Sequence, residues 1–493
     1  MNNELNKLWV DVMSTTLLKI FEQIEAPYFP IGSGRFNYTL ENFNDFYSIS
    51  EILADTASQS VYINLIALYI ASGFFSTAEQ QEVFALINKT TWKQLEKQAE
   101  EIKNPYIRKD YIADRIDTWI LEGYAYGDIC RASSGDIVID GGAYTGNTSF
   151  YFASLVGMGG RVYAFEPSKE IFNELEESVH LSNQKNIIPT NYALSDFDGV
   201  SYFSVLQKAS ASRLSNEQTP YKVPVISLDN FFINHNVEKI DFIKLDVEDN
   251  EAKVIIGAKN IIQKFCPKMA ISIYHRVEDP ITIPQLILSI NPNYKFYIKH
   301  NSNRFNETVL FCVPTQSPCV YKKTQASADI TSYISIFKQL YHKSRSLYYD
   351  YMLNRIASEF KHIVSLPFKM DYKKNNYYLY FPFSPNPFFH YEILISNKNV
   401  CVCIHFEKIK QHTQELYSQV YSFFTDLKKQ FPLAKIDENN RLGFHLDLLN
   451  RHDDTTISAA AYALKEIVET SLPKFDELNL LTPELREHIH KFN

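Results

Sequence analysis

Between Gly135 and about Pro314, short apolar runs alternate with amphipathic segments. The apolar runs are DIVIDG, RVYAFEP, NIIPTNYALS, KIDFIKLDVE, KMAISIYH, YKFYIKH and TVLFCVP. This alternation predicts strands followed by helices, and therefore an α/β fold with a mostly parallel sheet and helices on both faces. The near-continuous apolarity of FIKL and AISI is typical of strands buried on both faces. The segment VPVISLDNFF predicts an additional strand that leads into a helix.

The segments on either side of this region follow other patterns. Residues 1–125 show helical periodicity, for example in STAEQQEVFALINKTTWKQLEKQAEEI, and predict a helical domain. Residues 317–493 combine helical segments with a predicted hairpin, HYEILISNKNVCVCIHFE, whose turn is Asn397–Asn399. We therefore predict an N-terminal helical domain over 1–125, an α/β domain over 126–316 and a C-terminal α+β domain of unknown role over 317–493.

Composition excludes several classes of protein. The 493 residues carry 49 basic and 57 acidic side chains, a net charge of -8, which argues against a duplex nucleic-acid binder. The N-terminus lacks the pattern of a signal peptide, and the most apolar run, VYINLIALYIASGFF, is too short to span a bilayer. The six cysteines form no C-x-x-C pair. We expect a cytoplasmic chain without a transmembrane segment or a nucleic-acid partner.

Glycine is scarce, with 15 residues in the whole chain, and seven of them lie between Gly135 and Gly160. Gly141, Gly142 and Gly146 follow the first predicted strand and precede a predicted helix. Their G-G-x-x-x-G spacing differs from the G-x-G-x-x-G of dinucleotide sites and from a phosphate-binding loop. A ligand-binding loop and a simple tight turn are equally compatible with this spacing.

Acidic or polar side chains lie at the ends of several predicted strands, including the first. They are Asp140, Glu166, Ser195 with Asp196, Asp246 with Glu248, and His275. Ligands of such folds lie beyond the carboxyl ends of the strands, where an acid about 20 residues after the glycine loop accepts hydrogen bonds from ribose. Glu166 has that position, although it could also cap the next helix. An acidic rim repels pyrophosphate and disfavours a nicotinamide-dependent oxidoreductase, whereas S-adenosyl-L-methionine has ribose hydroxyls, an ammonium and a sulfonium that suit it.

Six motifs in order carry a family resemblance. They are VIDGGAYTGNTSFYFA, GRVYAFEPSKEIFNEL, ALSDFDG, VISLDNFF, IDFIKLDVEDNEAKVIIGAKNII and PKMAISIYHR. The segment from about Thr118 to Pro314 resembles the FkbM-type methyltransferases. The resemblance implies a class I methyltransferase with a Rossmann-like sheet. Such enzymes use S-adenosyl-L-methionine, and members of the family usually methylate a hydroxyl of a glycan or a small metabolite.

The resemblance also implies roles for residues at the motif positions. The loop would bind the methionine end of the cofactor through Asp140, Gly141, Gly142, Tyr144, Gly146 and Asn147. Glu166 would bind the ribose diol, Asp196 would lie near the adenine, and Asp246 would lie near the methionine end or the acceptor. One departure is that Glu248 is followed by Asp249, where the family usually has glycine, so acceptor placement is expected to differ.

Methyl transfer to a hydroxyl benefits from a general base near the reacting oxygen. His275 is the first candidate for this base, and Asp246 and Glu248 are the alternatives. His275 could equally be a structural histidine that never contacts substrate. Arg276 and His300 could hold an anionic acceptor or could simply be solvated strand ends. No metal is predicted for this site.

In the C-terminal domain, His390 and Glu392 share one strand face, and His405 and Glu407 share a face of the partner strand. These residues would form either a metal cluster or, as we favour, an ordinary polar face. The terminal domains could also mediate homo-oligomer formation.

The whole sequence predicts an O-methyltransferase acting on a hydroxyl of a sugar, glycan precursor or related metabolite. The acceptor would be a glycan, a nucleotide sugar or another small molecule. The alternative is a non-catalytic cofactor-binding or scaffold protein of a glycan-biosynthesis assembly.

Overall fold

The computed structural model of the chain describes most of its residues. These are residues 2–23, 33–75, 87–102, 106, 112–204, 213–215, 217–303, 306–343, 369–373, 376–382, 389–395, 400–407, 414–432, 434–437, 441–448 and 454–477. The chain divides into two compact units, one of residues 1–24 and 30–339 and the other of residues 25–29 and 340–493. The predicted three-domain division, with boundaries near residues 125 and 316, stays a prediction.

The first unit begins with a layer of helices. Among the described residues they are Asn2–Gln23, Ser33–Glu41, Phe43–Ile52, Thr56–Ala71 and Lys89–Glu100. Trp9 of the first helix is fully buried and packs against Phe43 of the third. Asp55 caps the helix that follows it, because its carboxylate accepts the backbone N–H of Ser58 at 2.7 Å. The predicted N-terminal helical region is present over these residues, and residues 76–86 of the predicted helical segment lie outside the described part.

Eleven strands of the first unit are described. They are β1 (Ile137–Gly141), β2 (Arg161–Phe165), β3 (Ile187–Thr190), β4 (Ala193–Leu194), β5 (Gly199–Ser204), β6 (Arg213–Ser215), β7 (Tyr221–Ile226), β8 (Phe242–Leu245), β9 (Lys268–Ser272), β10 (Tyr294–His300) and β11 (Thr308–Pro314). Seven of them form one sheet in the order β10-β11-β9-β8-β1-β2-β3. The strands from β9 to β3 in this order run parallel, and β11 runs antiparallel to both of its neighbours.

Helices connect the parallel strands and cover the sheet. They are Asn147–Val156, Lys169–Ser182, Leu228–Asn234, Glu251–Gly257, Lys259–Phe265 and Asp279–Ile290. The central strands are buried on both faces, and Phe152 from the first of these helices packs against Phe242 of β8. The predicted α/β fold, with a mostly parallel Rossmann-like sheet and an N-terminal helical region, is therefore confirmed.

A small second sheet has the order β4-β7-β5-β6 and is inserted between β3 and β8 along the chain. Of its strands, the sequence predicts only β7, within VPVISLDNFF, as an extra strand. The helix after it begins at Leu228, where the Ser227 hydroxyl accepts the N–H of Asn230. Ala193, Phe203, Val223 and Val225 form the buried core of this sheet.

The N-terminal helices protect the edge strand of the main sheet. The helix Thr56–Ala71 packs along β10. Leu53, just before it, forms a parallel bridge to Phe296, and Ala54 N donates to the Phe296 carbonyl at 2.9 Å. Because an open edge strand invites pairing with another chain, these contacts close the β10 side of the sheet.

The second unit contains an antiparallel sheet of the order β12-β13-β14-β15-β17-β16. Its strands are β12 (Lys369–Lys373), β13 (Asn376–Pro382), β14 (Phe389–Ile395), β15 (Val400–Glu407), β16 (Lys435–Asp437) and β17 (Arg441–Leu448), and the helices Gln414–Gln430 and Asp454–Glu477 accompany them. The predicted hairpin corresponds to β14 and β15, with His390 opposite His405 and Glu392 opposite Cys403. Its turn and the side chains of the four proposed metal ligands lie outside the described part, so the metal cluster stays a prediction. In the described part of the chain, no helix is long and apolar enough to cross a bilayer.

Candidate active site

A cavity of about 740 Å³ opens at the carboxyl ends of β1, β2 and β8 in the first unit. This is where ligands bind in open parallel sheets. One end of the cavity, on the β2 side, is lined by Phe165, Glu166, Pro167, Tyr192, Ala193, Leu194, Phe203 and Leu214. We call it the Glu166 end. The other end, which we call the acidic end, is lined by Asp114, Asp117, Tyr124, Asp246, Glu248, Tyr274, Asn301, Ser302, Asn303, Asn306 and Glu307.

The glycine loop forms the floor between the two ends. Gly142 has a φ of +80°, and a Cβ at this position would lie 1.8 Å from the carbonyl oxygen of Asp246, so only glycine fits. Gly146 has a φ of +98° and begins the helix Asn147–Val156. Gly142, Tyr144 and Asn147 line the cavity, whereas Gly141 and Gly146 are absent from its lining. Glycine is thus required at position 142 by a close backbone approach and at position 146 by its left-handed backbone.

Asn147 ties this loop to the segment that precedes β1. Its side-chain amide donates to the Asp114 carbonyl at 2.9 Å and to Thr118 Oγ1 at 3.0 Å, and its Oδ1 accepts the indole N–H of Trp119 at 2.7 Å. That segment is the short helix Ile112–Arg115 followed by a π-helical turn, a conformation that is frequent at functional sites. Asn147 therefore fixes the wall of the cavity that carries Asp114.

Asp140 lies beneath the loop and is fully buried, so it does not line the cavity. Thr148 and Ser149 donate to its Oδ2 at 2.8 and 2.6 Å, and Lys244 Nζ lies 3.1 Å from its Oδ1. Lys244 also donates to the carbonyl oxygens of Gly141 and Gly142 at 3.1 and 2.8 Å. Asp140 therefore anchors the lysine that holds the loop. The lysine inside the apolar run FIKL could have indicated a buried ion pair, but the sequence analysis did not use it.

Glu166 is buried at the end of β2 and lines the cavity. Burial raises its pKa to about 7, although the backbone N–H groups of Ser168 and Tyr144 act to lower it. Its Oε1 accepts the N–H of Ser168 at 2.8 Å, at the start of the helix Lys169–Ser182. The N-cap of that helix is Ser168, so Glu166 does not cap it but fixes the residue that precedes it, and its side chain also lines the cavity.

Asp196 is exposed and is absent from the residues that line the cavity. Its Oδ1 accepts the hydroxyl of Ser195 at 3.1 Å. Tyr192, Ala193 and Leu194 line the Glu166 end instead. The proximity of Asp196 to an adenine stays a prediction.

Asp246 follows β8 and projects into the cavity between two tyrosines. Tyr124 donates to its Oδ2 at 2.9 Å and Tyr274 donates to its Oδ1 at 3.2 Å. Burial alone would raise its pKa, but the positive charges of His275 and Lys244 hold the pKa of Asp246 below its ordinary value. It is therefore an anion at neutral pH with both oxygens already hydrogen-bonded.

His275 lies behind Asp246 and is absent from the cavity lining. Its Nδ1 is 2.9 Å from Glu251 Oε1, and its Nε2 is 3.4 Å from Asp246 Oδ1 and 3.6 Å from Glu248 Oε2. Burial acts to lower the pKa of His275, but these carboxylates, Glu251 first, raise it to about 10. An imidazolium cannot accept a proton, so the geometry favours the structural alternative for His275.

Asp246, Glu251 and His275 also satisfy the distance criterion for metal ligands, since one ligand atom of each lies within 4.8 Å of the others. The positive charge that a cation would supply is already provided by the imidazolium. The contacts therefore have an explanation as ion pairs, and we derive no metal chemistry from them.

Glu248 lines the cavity, and burial raises its pKa to about 7 although His275 acts to lower it. Glu248 and Asp249 both have left-handed backbones, with φ values of +51° and +71°. The carboxylate of Asp249, at the position where the family usually has glycine, forms an ion pair with Arg213 of β6. The departure noted in the sequence thus links this loop to the small sheet, and Arg213 was not predicted as a site residue.

Several acids of the acidic end were also missed. Burial and the nearby charge of Asp246 raise the pKa of Asp114 to about 6 and that of Asp117 to about 8. The pKa of Glu307 is raised by burial, Asp117 and Asp246. No sequence pattern signals this group, because its members come from the segment before β1, the loop after β8 and the loop after β10.

Residues 140–296 match the model of the methyltransferase FkbM domain. The chain contains an FkbM methyltransferase domain. The family resemblance predicted from the sequence motifs is therefore confirmed over these residues, and the family supports S-adenosyl-L-methionine as the cofactor.

The FkbM domain also has individual relatives. The chain is 26% identical over 158 residues to the hexuronic acid methyltransferase AglP of Haloferax volcanii, an alignment that covers 32% of this chain and 63% of that protein. A methyltransferase FkbM structure from Methylobacillus flagellatus is 19% identical, with a TM-score of 0.40 and coverage of 56% of this chain and 60% of the other. Aeropyrum pernix fibrillarin, solved with natively bound S-adenosyl-L-methionine, is 16% identical, with a TM-score of 0.28 and coverage of 41% and 76%.

Proposed function

We propose that the protein transfers a methyl group from S-adenosyl-L-methionine to a hydroxyl of a sugar, a glycan precursor or a related metabolite. One observation carries this proposal. A single cavity of an FkbM methyltransferase domain has a buried acceptor, Glu166, at one end and a carboxylate pair, Asp246 and Glu248, at the other. Such a cavity suits a donor with ribose hydroxyls and an acceptor that must lose a proton.

The residues of the Glu166 end and the loop fit the cofactor. Gly142 lines the cavity, and its lack of a Cβ lets the loop pack against the Asp246 carbonyl, which brings the loop and Asp246 to one wall. Glu166 would accept hydrogen bonds from the ribose diol, and the aromatic and apolar groups of Tyr192 and Leu194 would contact the adenine. S-adenosyl-L-methionine, when bound, supplies an electrophilic methyl group on a sulfonium.

At the acidic end, we assign the general base to Glu248 and the orientation of the acceptor to Asp246. A base is most effective when its pKa lies near the working pH, and burial raises the pKa of Glu248 to about 7. Asp246 has a lowered pKa and is held by Tyr124 and Tyr274, so it can accept a hydrogen bond but is a weaker base. His275 balances the charge of both carboxylates from behind.

The experiment has a binding arm and a turnover arm. Calorimetry should detect S-adenosylhomocysteine but not NAD, and Glu166→Gln should weaken the binding of S-adenosylhomocysteine. Protein incubated with methyl-labelled S-adenosyl-L-methionine and an extract of glycans and metabolites should then produce a labelled sugar that is heavier by one CH₂ group. Binding without any labelled product would favour the non-catalytic scaffold, and absence of binding at millimolar concentration would reject the proposal.

None of the six cysteines, all of which lie in the described part of the chain, forms a disulfide. We propose the cytoplasm as the site of the reaction on this basis, to be tested by fractionating cells that produce the protein. An oligomer formed through the terminal domains likewise stays a proposal, to be tested by light scattering.

A further inference from the structure

Two buried oxygen atoms in the wall of the acidic end lack a hydrogen-bond partner. One is Oδ1 of Asn301, whose side chain is fully buried and whose Nδ2 donates to the Gly123 carbonyl at 3.1 Å. The other is Oδ1 of Asp117, which is 6% exposed. Both residues line the cavity. Buried polar atoms are nearly always paired in native proteins, so two such acceptors on one cavity wall indicate a ligand that donates hydrogen bonds.

The two oxygens belong to the same small region of the wall. Asp117 packs against Gly123, since a Cβ on that glycine would lie 2.2 Å from Asp117 Oδ1. Asn301 binds the carbonyl of the same glycine. The backbone of Gly123 therefore brings both acceptors together, and Asp117 is held there by the π-helical turn Ile116–Ile120.

Acidic side chains surround these oxygens, and Asp246 among them is an anion at neutral pH. Asp114, Asp246, Glu248 and Glu307 line the same end of the cavity, and burial together with their mutual repulsion raises the pKa values of most of them. A further carboxylate would be repelled here, whereas hydroxyl or ammonium donors would be stabilised.

The basic side chains that are described in the cavity lining already form ion pairs with other residues of the chain. Lys244 is paired with Asp140 and with two loop carbonyls, and Arg213 is paired with Asp249. Arg276, which the sequence suggested for an anionic acceptor, pairs with Glu278 and is absent from the cavity lining. In the described part of the chain, the acidic end thus offers no available cation for an acid group.

We propose that the acidic end is an acceptor subsite that binds a sugar through hydroxyl or ammonium donors and rejects a sugar that carries a carboxylate. Asp117 and Asn301 are the specificity-determining residues, because their Oδ1 atoms receive these donors. This inference rests on the proposed methyl transfer and specifies its acceptor class. The acceptor therefore differs in charge from the hexuronic acid named for the Haloferax volcanii relative.

The test uses matched p-nitrophenyl glycosides in the gluco and galacto series, each as the neutral hexoside, the 2-amino hexoside and the hexuronide. Methyl-labelled S-adenosyl-L-methionine reports turnover, and calorimetry with S-adenosylhomocysteine reports the cofactor site. We expect kcat/KM for the neutral or amino sugar to exceed that for the hexuronide by about 100-fold, the effect of a few kcal/mol of like-charge repulsion.

Asp117→Asn keeps the shape of the side chain but replaces the acid group and one of its oxygens with an amide that cannot ionise. We expect it to raise the KM for the preferred sugar about tenfold and to narrow the discrimination against the hexuronide, with kcat and S-adenosylhomocysteine affinity within about twofold of wild type. Arg276→Gln is the control, because Arg276 pairs with Glu278 and does not line the cavity. This variant should leave the discrimination unchanged.

Several results would overturn the inference. They are preference for the hexuronide, loss of discrimination in Arg276→Gln, weaker S-adenosylhomocysteine binding in Asp117→Asn, and no methylation of any glycoside by protein that binds S-adenosylhomocysteine. Failure of the wild-type protein to bind S-adenosylhomocysteine would instead contradict the proposed function itself.

Discussion

Glu251 joins His275 to the loop that follows β8. Its Oε1 lies 2.9 Å from His275 Nδ1 and also accepts the backbone N–H of Val247 at 2.8 Å. Glu251 is 1% exposed and the side chain of His275 is 6% exposed, so the pair is shielded from solvent. One buried ion pair therefore sets the position of the loop that carries Asp246 and Glu248.

This pair should make stability depend on pH. The pKa of His275 is raised from 6.5 to about 10, so its contribution is fully present below pH 6.5 and is lost as the pH rises through 10. His275→Gln should lower the free energy of unfolding by about 3–5 kcal/mol at pH 6 and should flatten its decrease between pH 6.5 and 10. Urea unfolding measures both effects. His180→Gln, at an exposed histidine, is the control and should behave like wild type; equal pH profiles for wild type and His275→Gln would contradict the assignment.

Glu248→Gln should lower kcat by about 10²–10⁴-fold, the usual contribution of a general base. Because the side chain stays similar in shape, affinity for S-adenosylhomocysteine should be unchanged. Asp249→Asn is the neighbouring control and should retain most of the activity. A kcat for Glu248→Gln within a fewfold of wild type would remove Glu248 from the reaction.

Affinity for S-adenosylhomocysteine should rise with pH up to about 7 and then level off. Burial raises the pKa of Glu166 to about 7, and the ionised carboxylate is the better acceptor for ribose hydroxyls. Below pH 7, Kd should increase by up to about tenfold per pH unit. Calorimetry across pH 5–9 tests this, and Glu166→Gln should give weaker binding with a flat profile; a steep profile in that variant would show that another group is responsible.

Gly142→Ala should abolish S-adenosylhomocysteine binding and lower the free energy of unfolding by about 1–3 kcal/mol or more. The new Cβ would lie 1.8 Å from a backbone carbonyl oxygen and cannot be accommodated without moving the loop. Gly135→Ala is the matched control, because Gly135 has a similar φ of +84° and a Cβ there would have no other atom within 4 Å. The Gly135→Ala variant should lose only about 1–2 kcal/mol of the free energy of unfolding, from the strain of a left-handed residue, and should still bind S-adenosylhomocysteine.

Chelation should leave methyl transfer and thermal unfolding unchanged. His275 supplies the positive charge among Asp246, Glu248 and Glu251, so these carboxylates need no cation for balance. Dialysis against EDTA followed by the labelled-methyl assay tests this expectation. Activity that disappears on dialysis and returns with Mg²⁺ or Mn²⁺ would show that the cluster holds a metal.

The sequence predicted the positions of most strands of the main sheet, and therefore which residues lie at the strand ends. The apolar runs located β1, β2, β3, β8, β9, β10 and β11. Glu166 and Asp246, which follow the ends of β2 and β8, both line one cavity, and their roles there stay predictions. Strand-end position alone does not fix side-chain direction, however. Asp140 points beneath the loop because its partner Lys244 comes from a strand far along the chain.

The acidic end could not be predicted for a related reason. Asp117 and Asn301 belong to segments without a motif, and they lie on the same wall only because both residues contact Gly123. The imidazolium character of His275 likewise depends on Glu251, which sequence reasoning did not connect with it. Segments that are distant in the sequence meet only in the folded chain, and the local charge that they create depends on that meeting. The sequence alone therefore does not predict either.

The position of β11 has a consequence for biosynthesis and for protein engineering. This strand is the last of the main sheet in the chain, yet it lies between β9 and β10 and pairs with both. The β10 side of the sheet therefore cannot assemble until residue 314 has left the ribosome. A fragment trimmed to the family match at residues 140–296 would lack β11 and most of β10, and would leave β9 without its antiparallel neighbour. Expression fragments should extend through Pro314.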